Sequence, residues 1–316
     1  MSTAKQNHTV PQMMIRRFAG DDGKLVELYK PTLAIGTRRR APKGILFRND
    51  DFYRDAQIDW DYELLSKVEN TFARYYSIFA CGDPRSLKGN GKAGAALVDW
   101  VASMLCRTTW FHAAINAARK AREPELLRMP ALLRTAISLP FEVAFNIVRD
   151  IQFQEYQDLF SRPGWGWFRR TVDGESTLVL TDTPVCFAKN ADATRQVLLV
   201  PLTKSRILFG GLPEDIYPFF DWSVSDINLH LTANADRRIF AADRATLESI
   251  VRELTGCGEP RNPEWMEAAR KPHFGLPERM RSTPIPESAE SHEFYESMKG
   301  AYGKSVLEPI RGGRSL

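Results

Sequence analysis

Cysteine and histidine are both scarce in this chain, with four and five copies in 316 residues. Cys81, Cys106, Cys186 and Cys257 are widely spaced and none forms a CxxC pair, which argues against a zinc knuckle or a dithiol redox motif. Cys106 and Cys186 sit in apolar runs and are expected to be buried thiols. His112, His230, His273 and His292 show neither HExxH nor zinc-ligand spacing. Long apolar runs are also missing, so no membrane-spanning helix is expected. No basic-then-apolar leader opens the sequence, and a reducing cytoplasm is the expected location. The segment GDPRSLKGNGKAG (82–94) has glycines and lysines but not the GxxxxGK[ST] spacing of a P-loop, and no GxSxG elbow occurs.

A large net charge is missing too. The formal value is +4, too small to mark a nucleic-acid protein by itself. Its distribution is more informative. Residues 1–48 carry ten Lys/Arg and three Asp/Glu, net +7, whereas residues 50–69 carry seven acids and two bases, net −5. Such neighbouring blocks either lie close together or cover different solvated faces.

What is present is an ordinary globular composition, 43% hydrophobic and 26% charged, enough for a sizeable core. Thr9 and Pro11 read as the start of a short helix carrying Met13, Met14, Ile15 and Phe18. Gly20-Asp21-Asp22-Gly23 reads as a turn and KLVELYK (24–30) as a strand. Leu65, Val68, Phe72, Tyr75 and Phe79 recur at helical spacing, with Asp59 or Asp61 placed to start that helix. Further helices are expected at about 93–107, 109–122, 129–138 and 141–160, broken by Pro124, Pro130 and Pro140. After PGWGWFRR (163–170), read as a buried tryptophan corner, the pattern turns to strands: STLVL, PVCFA, and a QVLLVPL/SRILFGG hairpin around Thr203-Lys204. Residues 221–243 read as a helix leading to an extended segment, and a last helix runs from Arg244 to Leu254.

These elements predict an α+β fold. A helical block of four to six helices (about 63–160) packs with a small, mostly antiparallel sheet (about 168–243) in one domain, 7–256. Residues 257–316 hold seven of the nineteen prolines and read as an arm, with one or two short helices, that docks on the body or on a second copy of the chain.

The order of NHTVPQMMIRRFA, DDFY, YELLSKVENTFARY, LVDWVASMLCRT, LVLTDTPVCF, LVPLTKSRILF and INLHLTANADRRIFA resembles the family known as domain of unknown function 4238. The resemblance spans about residues 7–243 and rests on the motif order: a His-x-Val-Pro start, a Ser/Thr-Asp-x-Pro turn, and an Asn-containing helix before a short extended stretch. Thr181 stands where Ser is commoner and Ile15 where Leu is commoner. The resemblance implies a shared fold and candidate site but no reaction.

Eight residues are candidates for a site. His8 is a base, a metal ligand or a phosphate contact, or else a backbone-bonded corner residue. Asp182 sits at a strand end before Thr183-Pro184, where a sheet can aim a carboxylate into a cleft; the structural alternative is an Asx turn. Thr181 and Thr183 offer hydroxyls to either use. Asn228, flanked by Ile227 and Leu229, faces inward and either orients a substrate or ties down a strand. Arg16, Arg107 and Arg238 are candidate anion contacts, with a tie from Arg107 to Glu69 as the structural alternative. An enzyme reading joins His8, Asp182 and Asn228 as catalytic groups with the arginines as substrate contacts. These residue types suit a hydrolase acting on nucleic acid or a nucleotide, with Mg²⁺ or Mn²⁺ as a candidate cofactor. The alternative is a non-catalytic binding or regulatory module in which the same motifs are folding corners.

Overall fold

The computed structural model describes residues 10–44, 66–82, 91–108, 141–172, 177–189 and 195–256. His8, Thr9, the acidic segment 49–63, the helices expected at 109–122 and 129–138, and the arm 257–316 lie outside the described residues. The described helices are α1 (Gln12–Arg17), α2 (Ser66–Ala80), α3 (Gly91–Leu105), α4 (Phe141–Phe160), α5 (Pro213–Phe220), α6 (Val224–Asn234) and α7 (Arg244–Thr255). The strands are β1 (Val26–Tyr29), β2 (Ala34–Ile35), β3 (Gly166–Thr171), β4 (Leu180–Thr181), β5 (Cys186–Lys189), β6 (Gln196–Thr203), β7 (Arg206–Gly211) and β8 (Arg238–Ala241). The α+β class stands. Two details differ from expectation: seven helices are present among the described residues, four of them outside 63–160, and there are two sheets.

Both sheets are four-stranded and antiparallel, with orders β2-β1-β8-β4 and β3-β7-β6-β5. The expected strands on either side of Thr181-Asp182-Thr183 therefore belong to different sheets. The break has a local cause. Pro184 cannot donate to a ladder, and Thr181 Oγ1 donates to the Thr183 carbonyl at 2.8 Å, which curls the chain into a turn. The 204-centred hairpin forms as read, with β6 and β7 paired around Lys204-Ser205.

Strand β6 is buried along its whole length, since α1, α2 and α5 pack on it. Helix α2 presents Val68, Phe72 and Phe79 to the core, and Phe72 stacks on Trp100 of α3 with ring centroids 4.3 Å apart. The C-terminal carbonyls of α2 would otherwise be orphaned. Two arginines from the second sheet take them: Arg169 donates to the Phe79 and Gly82 carbonyls at 3.2 and 2.6 Å, and Arg206 to the Ala80 carbonyl at 2.7 Å. A cation is favoured at this end of a helix by its dipole. Trp165 and Trp167 are buried and meet Phe160, so the aromatic corner at 163–170 is structural. Helix α1 starts at Pro11 without a side-chain cap.

Gly210 of β7 lies opposite Trp167 of β3, and a Cβ there would sit 2.7 Å from the Trp167 ring. Gly210→Ala is expected to lower stability by about 1–3 kcal/mol in urea unfolding, the usual cost of overpacking. Gly91→Ala, where the space is open, is expected to show no loss.

Candidate functional site

Asp182 is the centre of a compact knot. Its Oδ1 accepts from the Asp236 N–H at 2.8 Å, and its Oδ2 accepts from the Arg237 and Arg238 N–H groups at 2.7 and 3.0 Å. Its own N–H donates to the Arg238 carbonyl at 3.1 Å. One carboxylate thus holds three consecutive amides at the corner between α6 and β8. Those amides would have no strand or helix partner there.

The same corner is held from two other sides. The Thr183 hydroxyl donates to the Asn234 carbonyl, at the end of α6. Lys30 Nζ donates to the Ala233 and Ala235 carbonyls at 2.8 and 2.5 Å, and the Lys30 N–H to the Arg237 carbonyl at 2.8 Å. Neither Lys30 nor Asn234 stood out in the sequence. A lysine directly after a strand and before Pro31 gives no sign that it reaches a helix end some two hundred residues later.

Asn228 anchors the strand that leads into the knot. Its Nδ2 donates to the Thr177 carbonyl at 2.8 Å and its Oδ1 accepts from the Val179 N–H at 3.0 Å. A side-chain amide offers one acceptor and a donor pair on one plane, so it can stand in for a missing strand neighbour. Thr177 is fixed further by Asp243 and Thr246, and Asp243 caps α7 by accepting from the Thr246 N–H at 2.7 Å. His230, one turn above Asn234, places Nδ1 3.0 Å from the Asp226 carbonyl and lies against Trp222 with ring centroids 4.2 Å apart. Burial pushes its pKa down to about 4, so the imidazole is neutral near pH 7.

The remaining candidates are dispersed. The Arg107 guanidinium pairs with Glu69 at 2.5 Å, tying α3 to α2, with its side chain 5% exposed. Arg16 is exposed in the last turn of α1. The Arg238 side chain points away from the knot to Glu27, 3.5 Å away on β1. The structure therefore brings Thr181, Asp182, Thr183 and the Arg238 backbone into one hydrogen-bonded unit, with Asn228 beside it. Arg16 and Arg107 take no part in its hydrogen bonds. His8 lies outside the described residues. Among the described residues no group of three or more His, Cys, Asp or Glu is placed to hold a metal ion, and no helix is long and apolar enough to cross a membrane.

The family model described as "Protein of unknown function (DUF4238)" matches residues 6–245. The chain belongs to this family. No curated protein and no solved structure matches it. The matched span of this DUF4238 protein contains every element of the knot, from Lys30 through Asp182 to Arg238.

Burial raises the Asp182 carboxyl to about 6, from an ordinary value of 3.8, against the pull of the three backbone donors. The folded state then holds this proton more readily than the unfolded chain, so its stabilising effect is complete below about 4 and is lost as pH rises to about 6. In urea unfolding the advantage of wild type over Asp182→Asn is expected to shrink across that window, by about 3 kcal/mol at most. An advantage that grows with pH would mean that the donors outweigh burial. At any one pH Asp182→Asn is expected to be the less stable protein, since the amide cannot accept all three N–H groups.

Proposed function

We propose that this DUF4238 protein is a non-catalytic binding module, and that its Thr-Asp-Thr-Pro turn and Asn228 serve the fold. The observation that carries this reading is the engagement of the Asp182 carboxylate by three backbone N–H groups. A catalytic base or metal ligand needs a lone pair directed at substrate or ion. The three N–H groups take three of the roughly four acceptor positions of the Asp182 carboxylate and lock it against the α6–β8 backbone, which leaves one lone pair on Oδ1. Asn228 supports the same reading, since its amide oxygen and nitrogen both hold the 177–179 backbone.

One observation favours the second reading, a phosphoester hydrolase built on His8, Asp182 and Asn228. A carboxyl raised to about 6 lies in the range of tuned general bases. Turnover assays separate the two. Wild type is assayed on single-stranded DNA, RNA and nucleoside triphosphates with Mg²⁺ or Mn²⁺. The binding-module reading expects no turnover above the protein-free rate. Turnover by wild type overturns it. A loss of about a hundredfold or more in Asp182→Asn, under conditions where its circular dichroism matches wild type, then assigns the chemistry to Asp182.

A further inference from the structure

The three acidic residues of segment 10–44 are all engaged in ion pairs. Asp21 pairs with Lys204 at 2.9 Å, Asp22 with Arg39 at 3.0 Å, and Glu27 with both Arg40 and Arg238 at 2.8 and 3.5 Å. Five exposed cations of the same segment remain: Arg16, Arg17, Lys24, Arg38 and Lys43. None of these five makes an ion pair with any carboxylate among the described residues.

Backbone ties draw together the segments that carry these cations. Helix α1 packs against the 3-10 turn Pro42–Gly44, which brings Lys43 beside the helix that carries Arg16 and Arg17. Leu25 and Arg40 exchange N–H and carbonyl bonds at 2.9 and 2.8 Å, and Arg39 donates to the Lys24 carbonyl at 3.2 Å. These bonds hold Lys24 next to the Arg38-Arg39-Arg40 run. The Lys204 N–H donates to the Arg17 carbonyl at 3.2 Å, which fixes α1 to the tip of the β6–β7 hairpin.

We infer that this face binds the phosphate backbone of a nucleic-acid duplex without reading its sequence. The inference rests on the binding-module reading, because the partner is held and not turned over. Three of the five cations are arginines, whose planar fork matches phosphate. The only exposed large hydrophobic side chains among the described residues are Tyr29 and Tyr217. Single strands are gripped through rows of stacking aromatics, and amphipathic surfaces enter bilayers through inserted apolar side chains. The face offers neither row. A purely electrostatic hold on anionic lipid is the competing outcome that the vesicle measurement below tests. The carboxylates of the face are held in ion pairs and its unpaired charges are positive, which a duplex matches through its regular phosphates.

The test uses the full chain, a fluorescent DNA duplex of about 20 base pairs and anisotropy titrations between roughly 50 and 200 mM salt. With five phosphates neutralised, log affinity should fall against log salt with a slope of about −4 to −5. The triple variant Arg16→Glu/Arg38→Glu/Lys43→Glu alters residues with no ion pair to lose. It should keep the wild-type melting temperature, bind at least about tenfold more weakly and lose about three from the slope. Lys67→Glu/Arg74→Glu/Lys92→Glu makes the same charge change on exposed positions of α2 and α3 and should leave the slope unchanged. Equal losses in both variants, or no loss in the first, overturn the assignment. Wild-type binding to phosphatidylserine vesicles with none to the duplex also overturns it, while leaving the binding-module reading in place. Cleavage of the duplex by wild type, seen on a denaturing gel, defeats the binding-module reading instead.

Discussion

A single carboxylate takes the three consecutive amides of Asp236, Arg237 and Arg238, and much of the first sheet depends on that contact. Strand β8 lies inside the sheet, between β1 and β4. Its first residue is Arg238, so the place where β8 enters the sheet is set by the oxygens of Asp182. Asp182 in turn directly follows β4, the strand that pairs with β8. The knot fixes both partners at the same end. Lys30 does the same from β1, binding the carbonyls of the corner whose N–H groups Asp182 binds. A corner with satisfied donors and satisfied acceptors can be half-buried without the cost of unpaired polar groups. The turn after Asp182 also carries the chain from one sheet to the other, so the same few residues set the relation between the two halves of the β structure.

The arginines divide by environment. Arg169, Arg206 and Arg107 lie wholly or partly inside the fold and spend their guanidinium groups on helix-end carbonyls or on Glu69. A buried guanidinium left without a partner is costly, which explains why each meets an acceptor. The arginines of segment 10–44 are exposed, and there the carboxylates are too few to match them. The formal charge of +4 conceals this contrast, because the acidic stretch 50–69 offsets the basic start in the sum.

Local elements were legible in the sequence where periodicity or turn chemistry is strong. The α2 face of Val68, Phe72 and Phe79, the 204-centred hairpin and the tryptophan corner follow from spacing and composition. Helix α5 was not legible, because it has eight residues with Pro213 at its start and Pro218 inside it. The pairing of β1 with β8 joins residues more than two hundred apart, and no local pattern encodes it. Two short strands separated by an Asp-Thr-Pro turn look like neighbours in one sheet; only tertiary packing sends them into different ones. For the site, the residue types at 181–183 and 228 were visible as inward polar groups, and the strand anchor at Asn228 was visible beside its catalytic reading. The Asx turn expected at Asp182 does not form, because Pro184 two residues on has no N–H and the carboxylate instead takes the 236–238 amides. The partners that decide these roles, the 233–238 backbone and Lys30, were not visible. Backbone amides and carbonyls carry no sequence signature.

The central claim is that Asp182 holds the α6–β8 corner as part of the folded core. Native-state hydrogen exchange of the Asp236, Arg237 and Arg238 amides tests it most directly. The account predicts that all three exchange as slowly as the β8 ladder amides of Ile239 and Phe240, and that all three lose protection together in Asp182→Asn. Fast exchange of these amides in the wild-type protein, at the rate of an open turn, would contradict it.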